Sequence, residues 1–157
     1  MRTPTKGDDS GDPKAGGCRV VVRLNVLGVP YASHAAVHHN LDRGSGDVVI
    51  VSSLAGRRVP RADRTVYAAT KHALTAVAEG LRMDVGARGV RVINVEPGLG
   101  RTELPEGPFR SADQYYTEKE YSPIEAEDVA AAVVYTVEQP PRVSISEIIV
   151  RPTEQLR

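Results

Sequence analysis

Tyr67 and Lys71 stand four residues apart in the alanine-rich stretch Tyr67-Ala-Ala-Thr-Lys71-His-Ala-Leu74. Residues i and i+4 of an α-helix share a face, so the spacing predicts a phenol and an ammonium side by side. A nearby cation favours the phenolate and lowers its pKa from about 10 toward the range of a general acid/base. Ser52 and Ser53 end an apolar run, Val48-Val49-Ile50-Val51. A hydroxyl delivered by the end of that run could hold a carbonyl or an alcohol beside the phenol. Such a set could move a proton on or off a carbinol oxygen. Side chains alternate across a strand, so only one of the two serines can face the phenol if the pleat continues.

The elements that must position these groups follow from periodicity. Residues 47–52 are a short apolar run after the turn Asp42-Arg-Gly-Ser-Gly46, which predicts a strand buried on both faces. Residues 66–85 predict a helix, with Leu74, Val77, Leu81 and Val85 as its buried stripe and Gly86 at its end. Val90 to Val95 predicts a second buried strand, stopped by Pro97-Gly98. Upstream, residues 19–40 predict one long helix, in spite of a β-branched start and Pro30. Residues 125–138 predict a last helix before Pro140-Pro141, and Ile145 to Val150 a last strand. The intervening residues 99–122 form a loop too long to be a plain connection. Its Tyr115, Tyr116 and Tyr121 either line an aromatic pocket or pack the loop itself. Strands separated by helices imply a parallel α/β sheet with right-handed crossovers. Residues 1–18 are polar and glycine-rich and predict a disordered lead-in. Gly7-Asp-Asp-Ser-Gly11 is not a dinucleotide fingerprint, because no apolar strand precedes it.

Composition narrows the function classes. The chain has 157 residues and a formal net charge of zero. That charge balance gives no electrostatic support to a nucleic-acid or membrane-surface partner. Its single cysteine, Cys18, cannot form an internal disulfide, which suits a reducing compartment. No apolar run approaches the ~20 residues of a bilayer span, and no signal-peptide core is present, so a soluble cytoplasmic protein is expected. His34, His38 and His39 lack partners at metal-ligand spacing, so no metal site is expected. Arg57, Arg58, Arg61 and Arg64 read as a solvated loop.

The residues Val51-Ser52-Ser53-Leu54-Ala55-Gly56, Tyr67-Ala-Ala-Thr-Lys71, Asn25-Val-Leu-Gly28, Pro97-Gly98 and Thr102-Glu103-Leu104 stand in the order of a known set of motifs. The tail Ile148-Ile-Val-Arg-Pro-Thr153 fits the same set. From about Arg19 to its end, the chain resembles the short-chain dehydrogenase/reductase family. The resemblance implies a partial Rossmann-like, doubly wound parallel sheet of three strands and three main helices, lacking the N-terminal half. Residues 19–157 would then be one truncated catalytic domain, with 99–122 as a lid over the substrate. It implies an NAD(P)-dependent oxidoreductase interconverting an alcohol and a ketone or aldehyde. Tyr67 would be the acid/base, Lys71 its electrostatic helper and a ribose ligand, Ser53 the carbonyl-orienting donor and Asn25 the end of a proton relay. Pro97, Gly98 and Thr102, with Tyr67 and Lys71, would contact the cofactor, NAD or NADP. A homo-oligomer is implied, since in the family the Asn25-type and Tyr67-type helices pair across a two-fold axis. The alternative is a non-catalytic fragment: an interaction module or a mis-started product. The family's glycine-rich cofactor loop does not occur in this sequence.

Overall fold

The computed structural model describes residues 13–60, 62–101 and 122–156. Thr102, the tyrosines of segment 99–122 and residues 1–12 lie outside them. Three parallel strands form one sheet in the order β1-β2-β3: Gly46–Val51, Val90–Pro97 and Glu147–Val150. β1 runs in register from Gly46 opposite Val90 to Val51 opposite Val95. β2 pairs with β3 from Asn94 opposite Glu147 to Pro97 opposite Val150. The α/β alternation predicted from periodicity is therefore present, as a Rossmann-like parallel sheet with flanking helices.

Helical backbone runs without a break from Pro13 to Arg43, as α1 (Pro13–Val22), a π-helical turn (Arg23–Gly28) and α2 (Val29–Arg43). It starts ahead of the expected Arg19, so residues 13–18 are helical rather than part of a lead-in. Pro30 sits in the first turn of α2, immediately after the π turn. A turn bonded i to i+5 relaxes the ladder where proline lacks its N–H, so the helix continues. α2 ends at Gly44, whose φ of 72° lets its N–H reach the carbonyls of Asn40 and Leu41. The stretch Gly17–Arg43 is long and apolar enough, by length and composition, to cross a membrane. No single apolar run reveals this, because Arg19, Arg23, Asn25 and the histidines interrupt the pattern. In this fold the stretch packs along β1 and α3 (Thr65–Val85).

Val37 of α2, Val48 and Ile50 of β1, Leu74, Ala78 and Val85 of α3, and Val90 and Val92 of β2 form the core, with Val77 and Leu81 against it. The stripe read from α3 thus faces the sheet. α3 continues into a 3-10 turn at Gly86–Arg88, and the left-handed residue is Gly89 (φ 82°) rather than Gly86. β1 is not buried on both faces. Val48 and Ile50 are buried, Val49 is half-buried and Val51 is 52% exposed. The reason is that α4 (Ala126–Val137) packs on β2 and β3 at the opposite face. Arg91 ties these layers together. It donates to both carboxylate oxygens of Asp47, at 2.6 and 2.8 Å, and to the carbonyls of Val137 and Gln139 at the end of α4. A cation there also meets the negative end of the helix dipole. α4 is opened by a capping box between Glu125 and Asp128.

Candidate active site

The first residues after β1 set the Ser53 hydroxyl. Ser53 has extended backbone (φ −170°) and caps the 3-10 turn Leu54–Gly56, its Oγ accepting from the Ala55 N–H at 3.1 Å. The same hydroxyl donates to the Pro97 carbonyl in a long contact of 3.5 Å. Ser52 takes the other direction: it is buried and donates to the Lys71 carbonyl at 3.4 Å. The two serines diverge as the pleat requires, and the one named from the family pattern stands at the end of β2.

Tyr67 and Lys71 occupy the first two turns of α3, both half-buried. The Lys71 Nζ lies 5.7 Å from the centroid of the Tyr67 ring, within the range of a cation–π contact. Burial lowers the pKa of Lys71 below its ordinary value, because desolvation penalises the ammonium. Gly56 packs against this turn so closely that a Cβ on it would come within 2.9 Å of the Lys71 carbonyl oxygen.

Asn25 projects from the π turn. Its Nδ2 donates to Thr70 Oγ1 at 3.1 Å, and that hydroxyl donates in turn to the Tyr67 carbonyl at 2.7 Å. Asn25 is thus joined to the Tyr67 turn through Thr70, a buried residue that sequence patterning does not single out. At the far end of β2, Pro97 and Gly98 are half-buried, and the Gly98 N–H bonds the Val150 carbonyl at 2.7 Å. A Cβ on Gly98 would fall 2.6 Å from that of Arg151, so the close approach requires glycine. The Leu99 N–H is held by Gln155 Oε1 at 2.9 Å.

One expectation needs correction. Arg57 is not merely a solvated loop charge. It pairs at 2.7 Å with Glu96, whose side chain is fully buried in β2, and also with Glu147 of β3. Both carboxylates raise the guanidinium's already high pKa. Glu96 sits inside an apolar run, so the signal that could have found it is a carboxylate where a strand should be apolar. His34 and His38 are exposed, with ring centroids 4.3 Å apart, and His38 Nδ1 lies 2.9 Å from the His34 carbonyl oxygen. Among the described residues no group of three or more His, Cys, Asp or Glu could hold a metal ion.

Comparison with known proteins covers most of the chain. A family model described as short chain dehydrogenase matches residues 9–111. The chain is 30% identical over 132 residues to an uncharacterized oxidoreductase of Staphylococcus aureus, covering 84% of this chain and 53% of that protein. It is 35% identical over 150 residues to dehydrogenase/reductase SDR family member 11 of Bos taurus, covering 89% of this chain and 58% of that protein. Among solved structures it is similar to the closed form of serine dehydrogenase complexed with NADP+, with a TM-score of 0.81 and 27% identity. That likeness covers 93% of this chain and 59% of the other. The chain spans a little over half the length of the curated relatives it matches.

Proposed function

The chain belongs to the short-chain dehydrogenase family, and from that premise we propose that residues 19–157 are the catalytic portion of an NAD(P)-dependent oxidoreductase that interconverts an alcohol and a ketone or aldehyde. The reading rests on one observation above the others: the Lys71 ammonium stands 5.7 Å from the Tyr67 ring, in a site whose hydroxyl donor, Ser53, is fixed at the end of β2. Ser53 holds the substrate oxygen. Tyr67 gives its phenolic proton to that oxygen during reduction and recovers it during oxidation. Lys71 stabilises the phenolate left behind, and its half-buried setting strengthens that effect by thinning the intervening water. Asn25 braces the turn that carries Tyr67 and ends the path by which the phenol regains its proton.

A nicotinamide dinucleotide, when bound, supplies or accepts the hydride, which no side chain can do. The residues that would hold its nicotinamide and ribose are Tyr67, Lys71 and the half-buried Pro97-Gly98 turn at the end of β2. Thr102 would join them from outside the described residues. The NADP+ of the serine dehydrogenase complex supports a dinucleotide without deciding between NAD and NADP. The substrate is a small alcohol or carbonyl compound. A homo-oligomer accords with the apolar side chains exposed on the first helix, and a cytoplasmic setting with the single, exposed Cys18.

Tyr67→Phe is expected to lower kcat about 10²–10⁴-fold, the usual contribution of a general acid/base, with folding unchanged. A near-normal kcat would overturn the assignment. Residues 1–157 alone are expected to bind NADH and NADPH weakly, because the sequence lacks the glycine turn that cradles a pyrophosphate at a helix N-terminus. Calorimetric titration with each cofactor checks this, and low-micromolar affinity for either would contradict it.

A further inference from the structure

We propose that Glu96 is a positioning residue of the site, holding the Ser53 turn and the Lys71 turn of α3 against one end of β2; this role rests on the reaction assigned above. An ionised carboxylate is costly to bury without partners, and Glu96 is fully buried. Three donors reach it. Arg57 Nε donates to Oε2 at 2.7 Å and Asn94 Nδ2 to Oε1 at 2.7 Å, while Thr75 Oγ1, 3.4 Å from both Oε1 and the Lys71 carbonyl oxygen, shares its one proton between them. The donors come from separate parts of the site. Arg57 directly follows the 3-10 turn capped by Ser53, Thr75 lies one turn beyond Lys71, and Asn94 belongs to β2. The next residue, Pro97, accepts from the Ser53 hydroxyl itself. Gly56, between Ser53 and Arg57, abuts the Lys71 carbonyl. One carboxylate therefore fixes the place of the hydroxyl donor relative to the acid/base turn. The two 2.7 Å bonds are of the strong, short, charge-assisted kind suited to this. A buried ion pair is a poor source of net stability, so geometry is what this one supplies.

The test compares amide hydrogen exchange in the full 157-residue chain, in Glu96→Gln and in Arg57→Lys. In Glu96→Gln the amides of Ala55, Gly56 and Arg57 are expected to exchange about tenfold faster, the scale of one lost charge-assisted hydrogen bond. Amides of 77–84 in α3 should keep their rates, and Arg57→Lys, which keeps the charge and loses the fork, should fall between. Unchanged rates at 55–57, or equal acceleration throughout the chain, would overturn the proposal. Should Glu96→Gln fail to fold, Arg57→Lys carries the same comparison. In an active preparation Glu96→Gln should lower kcat by about 100-fold, as a small misplacement of reacting groups does, with KM for the nicotinamide cofactor unchanged. An unaltered kcat would also overturn it. Exchange needs no turnover, so Tyr67→Phe kinetics decide the proposed reaction and the amides decide the positioning role separately.

Discussion

The helical segment Pro13–Arg43 and helix α3 lie against each other, and both are rich in apolar residues, yet they are covered very differently. α3 buries Ala68, Thr70, Leu74, Ala78 and Val85. Among the described residues, the earlier segment buries only Ser33 and Val37, while Leu24 is 67% and Tyr31 75% exposed. An apolar helix pattern records a demand for cover, not its source. For α3 the source is the sheet of the same chain, so the turn that carries Tyr67 and Lys71 rides on the covered element. The earlier segment leaves Val20, Leu24, Leu27 and Tyr31 exposed, and clustered apolar side chains at a surface are of the kind that marks interfaces.

The largest expected effect would widen this contrast. Leu74→Ala should cost about 2–5 kcal/mol, as core truncations do, whereas Leu24→Ala should change the stability of the dilute chain by no more than about 0.5 kcal/mol. Denaturant midpoints at low and high protein concentration check both. A cost at Leu24 that grows with concentration would mean that a second copy covers the segment.

Next in size is the polar link from Asn25 to Thr70 between the two regions. Thr70→Val keeps the shape but leaves Asn25 Nδ2 without its acceptor, and should cost about 1–3 kcal/mol. Combined with Asn25→Ala, the loss should be less than additive, since one change removes what the other orphans. Additive losses would show that Thr70 serves only the Tyr67 carbonyl.

The smallest effect is a pH dependence confined to α3. The folded pKa of Lys71 lies below the ordinary value of 10.5. Between those two values the unfolded chain binds more protons than the folded one, so stability rises with pH across that window. Lys71→Met should remove this contribution, visible as a flatter stability–pH curve than that of the parent chain. Identical slopes would mean that Lys71 is as well solvated in the fold as out of it.

What could be read without coordinates divides along the range of the forces involved. The strands and α3 were legible because their period is local: Val48 and Ile50, or Leu74, Val77 and Leu81, declare a face within a few residues. The nearness of Lys71 to the Tyr67 ring was legible because i, i+4 spacing is local too, whereas Ser53 was chosen over Ser52 by the family pattern alone. The early start at Pro13 was not, since the composition there argues against order, and the helix gains it by extending an established one. Nor was the two-sided burial of β1 read correctly, because an apolar run does not say how many layers will lie on it. The partners of Asn25, Glu96 and Arg57 were hidden for a third reason. Thr70 lies 45 residues from Asn25, and Glu96 lies 39 from Arg57, distances over which sequence spacing carries no geometry.

The π turn at Arg23–Gly28 has a bearing on how this chain tolerates length change. A turn bonded i to i+5 holds one residue more than the α-helical ladder around it. Deleting a single residue there would let the backbone relax to regular α-helix without breaking it. With 3.6 residues per turn, that edit would rotate everything upstream by about 100° about the helix axis. Val21, half-buried at present, would swing away while its neighbours swung in, and Asn25 would lose its aim at Thr70. At this point of the chain a deletion acts as a change of phase, and insertion of one residue downstream would be its natural suppressor.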